Sequence, residues 1–356
     1  MAGLRTYITL FVVLGVLGAT AAASSSSSSS AGSWRLLASA PVSFPQGQAG
    51  VWTGRRLILI GRAPLTNPAR DVAATYDPAT DHWTKLVPPV GPDYVPGFKA
   101  IWTGSAMLAF DPFHSVAYRP ATNAWRVLPK TVNLGFVAWT GREAVGWGGG
   151  CCGDAQSDGS AYNPATGRYR VLPRAPLGPA QDALGAWTGR ELILFIGSYG
   201  VDGKLRPASV ARGAAYDPRT NAWRRLAPLP MSGLAPSGVG TWDGHQLLVA
   251  GAGARGRSAY AYDPASDRWR RIRSLPAARV GALPVWSGTR LYLLGGDDPK
   301  GRALVDGVAY DPASDRWTPV PALPFKSLYG AAAVWTGSEL IVSSHGRTAA
   351  YRPTGG

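Results

Sequence analysis

The apolar residues of this chain fall into short runs that are bounded by turn-forming residues. Typical runs are RLILIG, ELILFIG and RLYLLGG. Beyond residue 31 we find no sustained apolar pattern with the 3.6-residue period of a helix, and the 45 glycines and 30 prolines would interrupt long helices. The pattern therefore predicts an all-β fold built from short strands.

Two phrases alternate strictly along the whole chain. The first is Trp-Thr-Gly or a close variant, and it begins at Trp52, Trp102, Trp139, Trp187, Trp242, Trp286 and Trp335. The second is Tyr-Asp-Pro or a variant, and it begins at Tyr76, Tyr118, Tyr162, Tyr216, Tyr262, Tyr310 and Tyr351. An aromatic residue follows seven positions after each of the first six tyrosines, at Trp83, Trp125, Tyr169, Trp223, Trp269 and Trp317. The spacing from one Trp-Thr-Gly phrase to the next, together with the recurring aromatic residues and glycines, predicts a β-propeller.

Each repeat divides into four predicted strands. The first is rich in Gly and Ala, as in GQAGV, and small residues let several inner strands approach one axis. A tight turn at Thr53-Gly54 or its equivalents leads to the second and most hydrophobic strand. The third strand ends in the Tyr-Asp-Pro phrase, whose proline and aspartate favour a turn, and the fourth begins at the second aromatic residue.

The seventh repeat lacks a fourth strand because only RPTGG follows Tyr351. At the other end of the sequence, SWRLLASAP resembles a fourth strand without a repeat of its own. We therefore predict a seven-bladed β-propeller of four-stranded antiparallel blades, in which residues 34–40 pair beside residues 347–353 and close the last blade.

The paired glycines at Gly148-Gly149 and Gly295-Gly296, the spaced Tyr and Trp residues and the Trp-Thr-Gly turn resemble Kelch repeats. The whole is similar to the galactose-oxidase-type β-propeller superfamily. The resemblance implies a binding face formed by the loops between second and third strands and by the blade-to-blade connections. The oxidases of that superfamily use two histidines and two tyrosines around copper, with one tyrosine cross-linked to a cysteine, and an additional domain. Since the only cysteines here are adjacent and no further domain follows the last repeat, we expect no oxidase copper site and no cofactor.

The N-terminal segment has the pattern of a secretory signal peptide. Arg5 precedes an apolar run over residues 7–17, and small residues follow up to Ala23. We predict a signal peptide at 1–23, a serine-rich linker at 24–33 and the propeller at 34–356, in a monomer that is secreted and either free or associated with the envelope. An uncleaved N-terminal anchor, which would attach the protein to a membrane, is the alternative.

The net charge of +15 comes mostly from arginine. This charge could attract anionic polymers. Because the sequence contains no long block of like charges, we favour the interpretation that the arginines are spread evenly over the surface. Nucleic acid is not expected as a partner, because no strand alternates basic and aromatic residues.

Candidate ligand-binding residues lie in the predicted loops between second and third strands, where variable loops on a rigid ring carry specificity. Several arginines there would suit a carboxylate, sulfate or phosphate group, although solvated surface charge is an equal alternative. The Asp297-Asp298 pair would bind calcium or, more often, shape a turn. The candidates are Arg62, Arg70, His114, Asp154, Tyr199, Arg212, Arg255, Arg257, Asp297, Asp298, Arg302, His345 and Arg347.

Cys151 and Cys152 are adjacent in the loop of the third repeat. A disulfide between them is the favoured interpretation, since export favours oxidation and the glycines beside them would relax the strained ring. The alternatives are a soft metal site with His114 or His345, and thiols that are free, packed or paired between molecules.

These features favour a non-catalytic module that binds an anionic glycan, a cell-envelope polymer or a protein through this loop face. The alternative is a glycan-active enzyme, a lyase, hydrolase or epimerase, with acid and base groups drawn from Asp154, Asp298, Tyr199 and His345. Further acid–base candidates on the same face are Asp111, Asp158 and Asp306.

Overall fold

The computed structural model is a ring of seven four-stranded antiparallel sheets, which confirms the predicted seven-bladed propeller. The structure describes residues 32–45, 47–63, 71–89, 98–111, 114–129, 132–150, 154–197, 211–230, 239–252 and 256–353. Within these ranges there are 28 strands and no helix, so none is available to span a membrane. The predicted signal peptide and linker lie almost entirely outside the described residues.

The blades are numbered in chain order, and each contributes one strand to each of four concentric layers. The inner strands are β2 (Gln48–Trp52), β6 (Lys99–Trp102), β10 (Phe136–Trp139), β14 (Leu184–Trp187), β18 (Val239–Trp242), β22 (Leu283–Trp286) and β26 (Ala332–Trp335). The second strands are β3 (Leu57–Arg62), β7 (Met107–Phe110), β11 (Ala144–Trp147), β15 (Leu192–Ile196), β19 (Leu247–Ala252), β23 (Leu291–Leu294) and β27 (Leu340–Ser344). The third strands are β4 (Asp71–Asp77), β8 (Ser115–Arg119), β12 (Gly159–Asn163), β16 (Ala211–Asp217), β20 (Ser258–Asp263), β24 (Gly307–Asp311) and β28 (Arg347–Tyr351). The outer strands are β5 (His82–Leu86), β9 (Ala124–Val127), β13 (Arg168–Val171), β17 (Ala222–Leu229), β21 (Arg268–Arg271), β25 (Arg316–Val320) and β1 (Trp34–Leu36).

The N-terminal strand closes the ring as predicted. β1 pairs antiparallel with β28, and Trp34 lies opposite Tyr351 with ring centroids 5.2 Å apart. Two further main-chain hydrogen bonds, from Leu37 to Thr348 and from Ala40 to Gly346, extend the pairing to residue 40. The seventh blade thus receives its outer strand from the opposite end of the chain. As a result, β28 is paired on both sides, with β27 and with β1.

The core lies between neighbouring blades. Second strands such as β3 and β15 are buried along their whole length, since both of their faces meet other blades. The seven-residue spacing of the aromatic pairs has a simple cause: Tyr76 and Trp83 are direct cross-strand partners on β4 and β5, with ring centroids 5.0 Å apart.

The two ends of the ring differ. The antiparallel order places the Trp-Thr-Gly turns and the Tyr-Asp-Pro turns at one end, which we call the turn face. The connections between second and third strands and those from blade to blade share the other end, which we call the loop face. The face predicted to bind ligand is the loop face.

Candidate functional site

A pocket of about 420 Å³ opens on the loop face where blades 6 and 7 meet. It is formed by the loop between β23 and β24 and by the connection from β25 to β26. Its lining residues are Gly281, Gly296, Asp297, Ala303, Leu304, Ser327, Leu328 and Tyr329. Asp297 is one of the residues that the sequence predicts for this face. We call this cavity the loop-face pocket.

The main chain holds Asp297 firmly at the wall of the loop-face pocket. Its N–H donates to the carbonyl of Val280 at 2.7 Å, and its carbonyl accepts the Val280 N–H at 2.9 Å. Gly296 before it has φ of +86°, and a Cβ there would lie 2.5 Å from the Val280 carbonyl, so glycine is required. Within the described residues the Asp297 carboxylate accepts no hydrogen bond and forms no ion pair. The main chain therefore fixes the position of Asp297, and its carboxylate keeps acceptor capacity for a ligand.

Tyr329 supplies an aromatic surface beside this carboxylate. The residue is 58% exposed, which is unusual for a large apolar side chain. Its N–H donates to Ser327 Oγ at 3.0 Å, and the Ser327 carbonyl accepts the Ser344 hydroxyl at 2.8 Å. The segment that carries Tyr329 is thereby tied to blade 7.

Asp298 and Arg302 form a local turn next to the loop-face pocket. Asp298 accepts the N–H groups of Lys300 and Arg302, and the Arg302 guanidinium donates to its carboxylate at 2.6 Å. The hydrogen bond from the Arg302 N–H is the main cause that lowers the pKa of Asp298. Of the two alternatives for the Asp297-Asp298 pair, turn formation is the one that applies to Asp298. The Arg302 side chain is exposed, and its charge is paired with that of Asp298.

A buried charged cluster lies between blades 1 and 2, near the loop face. Arg62 is 3.3 Å from Asp111 and 3.6 Å from Asp71, and His114 Nδ1 is 3.3 Å from the other oxygen of Asp71. Burial raises the pKa of Asp71, against the opposing influence of Arg62 and His114. Arg62 and His114 were both predicted as ligand-binding residues, but Arg62 is only 4% exposed and its charge is compensated inside the protein.

Lys99 and Asp182 form a second charged pair at the loop-face end of the inner strands. Lys99 Nζ donates to the Gly135 carbonyl at 2.9 Å and lies 3.6 Å from Asp182. Burial lowers the pKa of Lys99 and raises that of Asp182. The pair links blade 2 to the connections that enter blades 3 and 4. We therefore interpret it as a structural contact at the wall of the channel.

Sequence reasoning missed Asp71, Lys99, Asp182, Tyr329 and Arg279. The last is 3% exposed and bonds the Asp306 carboxylate at 2.7 Å. Each of these lies at the start of a strand or in a blade connection, outside the loops from which candidates were chosen. A charged residue at the first position of an otherwise apolar inner strand, as at Lys99, was the available signal.

The other predicted candidates are dispersed over the loop face. Arg257 donates to the Leu275 carbonyl at 3.0 Å, and no hydrogen bond or ion pair between described residues joins Asp154, Arg212, His345 and Arg347 to one another. All of these side chains are exposed. Five predicted positions lie outside the described residues: Arg70, Tyr199, Arg255, Cys151 and Cys152. The disulfide remains a prediction, although Gly149 and Gly150 before it do have positive φ.

The described residues do not fit a copper centre. His114 and His345 lie near the loop face and His82 and His245 on the turn face, and no three His, Cys, Asp or Glu side chains in the described ranges are arranged to hold a metal ion. We therefore derive no oxidase step for this protein.

Comparison with known proteins agrees with this architecture. The sequence model of the Kelch motif family matches residues 278–324, which contain the whole of blade 6. No functionally curated protein matches the sequence.

Among solved structures, the chain is similar to YjhT, with a TM-score of 0.56 at 17% identity over 80% of this chain and 99% of that one. It is also similar to a fungal alcohol oxidase of the AA5 family in complex with copper, with a TM-score of 0.63 at 13% identity over 91% of this chain and 77% of that one. At these identities the likeness concerns the fold. The chain has the fold of a Kelch and galactose-oxidase-type β-propeller.

Proposed function

We propose that this Kelch-type propeller is a glycan-binding module and that the loop-face pocket holds the sugar. The observation that carries the proposal is that one cavity is lined by an exposed aromatic residue, Tyr329, and by Asp297, whose carboxylate has no partner among the described residues. The volume of about 420 Å³ lies within the range of roughly 300–1,000 Å³ that is usual for small-molecule sites.

The chemistry of a pyranose ring matches these groups. Its C–H faces are apolar and pack on an aromatic ring, while its hydroxyls donate charge-assisted hydrogen bonds to a carboxylate. A carboxylate in the wall disfavours an anionic group at the same point. Of the ligands that the sequence suggests, a hydroxyl-rich glycan therefore suits this pocket better than a densely anionic polymer.

The enzyme alternative has less support. It draws its acid and base groups from Asp154, Asp298, Tyr199 and His345, and no contact joins the three of these residues that the structure describes. Asp298 is also occupied by its own turn. The predicted signal peptide supports a role outside the cell, where a glycan ligand would be met.

A glycan array with the purified propeller tests the proposal. We expect Asp297→Asn and Tyr329→Ala each to weaken binding of the selected glycan by about tenfold, which corresponds to about 1.4 kcal/mol. Val171→Ala, on an exposed outer strand, and Asp154→Asn, elsewhere on the loop face, are matched controls that should bind normally.

Two outcomes would contradict the proposal. One is the absence of any glycan signal with folded protein. The other is a signal that both pocket variants leave unchanged. Loss of binding in Arg302→Ala and Arg257→Ala alone would instead point to an anionic ligand held by those arginines.

A further inference from the structure

A second and larger cavity, of about 570 Å³, opens on the turn face at the axis of the ring. We call it the turn-face cavity. It lies where the inner strands end, and it extends along the channel as far as Phe136 at the start of β10. Five tryptophans line it: Trp102, Trp139, Trp187, Trp242 and Trp286.

These tryptophans are packed against the core but are not fully buried. Every inner strand ends in a tryptophan, and all seven of these residues are partly exposed, whereas the core residue Trp147 is completely buried. Each packs against a cluster of buried apolar side chains, as Trp187 and Trp242 do. A side chain that is already packed loses less conformational entropy when a ligand binds.

The polar groups of the turn-face cavity are few and uncharged, apart from Asp243. Thr140 and Thr188 are already engaged, since each hydroxyl donates to a main-chain carbonyl of its own turn. Thr241 is different, because no hydrogen bond of its hydroxyl to a described residue is observed. It occupies the position before the terminal tryptophan, where the other six blades have Val51, Ile101, Ala138, Ala186, Val285 and Val334.

Asp243 keeps acceptor capacity. Its Oδ1 receives the N–H groups of His245 and Gln246, at 2.7 and 2.6 Å, and its other oxygen has no described partner. Among the residues that the structure describes, no lysine, arginine or histidine lines the cavity. An anionic ligand would therefore find no counter-charge in the wall.

From this chemistry we infer that the turn-face cavity is a saccharide site, distinct from the loop-face pocket, that binds neutral pyranose units. Indole rings at fixed positions offer surfaces to sugar C–H faces. Thr241 and Asp243 accept hydroxyl protons. The volume lies within the usual range of roughly 300–1,000 Å³ for small-molecule sites. The protein then has two sugar sites, one on each face of the ring.

Native mass spectrometry and calorimetry with four tetrasaccharides test this inference. Maltotetraose, cellotetraose and chitotetraose are the neutral probes, and tetragalacturonate is the anionic one. Thr241→Tyr fills the cavity without removing a tryptophan, and tyrosine is a good strand former. Thr241→Val keeps the volume and removes only the hydroxyl. Trp187→Phe keeps an aromatic ring at the wall and serves as a second, mild variant.

We expect at least one neutral probe to bind, with affinity for the turn-face cavity lowered about tenfold or more in Thr241→Tyr and less in Thr241→Val and Trp187→Phe. The melting temperature of each variant shows that it is folded. Binding of no neutral probe, binding of tetragalacturonate alone, or affinity that Thr241→Tyr and Trp187→Phe both leave unchanged would overturn the inference. Binding that only Asp297→Asn weakens would overturn it while leaving the loop-face proposal intact. Binding that the Thr241 variants weaken supports it, and the glycan array tests the loop-face pocket separately.

Discussion

The indole N–H of Trp269 in blade 5 donates a hydrogen bond of 3.0 Å to the carbonyl oxygen of Ala227 in blade 4. The N–H of the same Ala227 donates to the Asp267 carboxylate, also in blade 5, at 2.9 Å. Both peptide groups of one residue are therefore held by the next blade. The arrangement recurs at Ala38 and at Arg273, each with the corresponding Trp and Asp of the following blade.

Trp269→Phe tests the strength of this contact between blades. The substitution keeps an aromatic ring against Tyr262 but leaves the Ala227 carbonyl without its donor. We expect the free energy of unfolding to fall by about 1–2 kcal/mol, measured by chemical denaturation. No change in stability would show that water replaces the indole at this place.

Asp315→Asn tests how acid acts on the same contact in blade 6. The hydrogen bond from the Arg273 N–H is the main cause that lowers the pKa of Asp315, and the phenol of Tyr310 adds to it. A lowered folded-state pKa stabilises the protein above the unfolded value of about 3.9, and this stabilisation is lost as pH falls through the folded value.

The asparagine variant should therefore lose less stability than the original protein between about pH 4 and 2, in acid titrations followed by tryptophan fluorescence. At pH 7 we expect a small loss of about 0.5–1 kcal/mol. Blades 2 and 4 already carry Asn123 and Asn221 at the equivalent positive-φ position, so the backbone accepts asparagine there. An unaltered acid response would contradict this account.

Arg62→Met tests the buried cluster between blades 1 and 2. Without the guanidinium, Asp71 and Asp111 would be left buried with less compensating charge, and we expect a loss of about 3–5 kcal/mol at pH 7. Because burial raises the pKa of Asp71, the folded state of the variant binds protons more readily than the unfolded chain. Its stability should then rise as the pH falls from 7 toward the unfolded value of about 3.9.

Arg55→Met is the matched control for this substitution. Arg55 is an exposed arginine that lies 3.7 Å from Asp77, and its removal should change stability by less than about 1 kcal/mol. Equal effects of the two substitutions would refute a special role for the buried cluster.

Lys99→Met tests the pair at the channel wall. The substitution leaves Asp182 without its partner, and we expect a loss of about 1–3 kcal/mol that Lys99→Met combined with Asp182→Asn largely restores. Burial lowers the pKa of Lys99, so the original protein should gain stability as pH rises from the folded value toward the unfolded value of about 10.4. Both variants should lack this gain in denaturation curves between neutral and alkaline pH.

The fold could be predicted from the sequence because each strand has a recognisable local sequence pattern. The spacing from Tyr310 to Trp317 is the length of one hairpin, and the Trp34–Tyr351 pairing follows from counting the repeats. These features depend on neighbours within a blade, or on the number of blades, and both are visible in a single sequence.

The candidate site was harder to predict from the sequence than the fold, because no local sequence pattern shows which side chains of different blades lie close together. Arg62 and His114 were chosen as exposed ligand contacts, yet they meet Asp71 in the interior because two blades bring them together. Asp297, a ligand-binding candidate from the sequence, lines the loop-face pocket, but Tyr329, which lines the same pocket, comes from the connection to the next blade. The sequence marks the terminal tryptophans only as the start of the Trp-Thr-Gly phrase, and their partial exposure at the axis depends on the radius of the assembled ring.

The pairing of β1 with β28 also has a consequence for synthesis of the protein. The ribosome synthesises β1, the outer strand of the seventh blade, before every other strand of the ring. It synthesises β28, the strand that pairs with β1, last. Six blades can form while the nascent chain grows, but their two end surfaces stay open until the final strand emerges. Closure is thus a late step that joins the most distant parts of the chain, and we expect it to limit the rate at which the complete propeller forms.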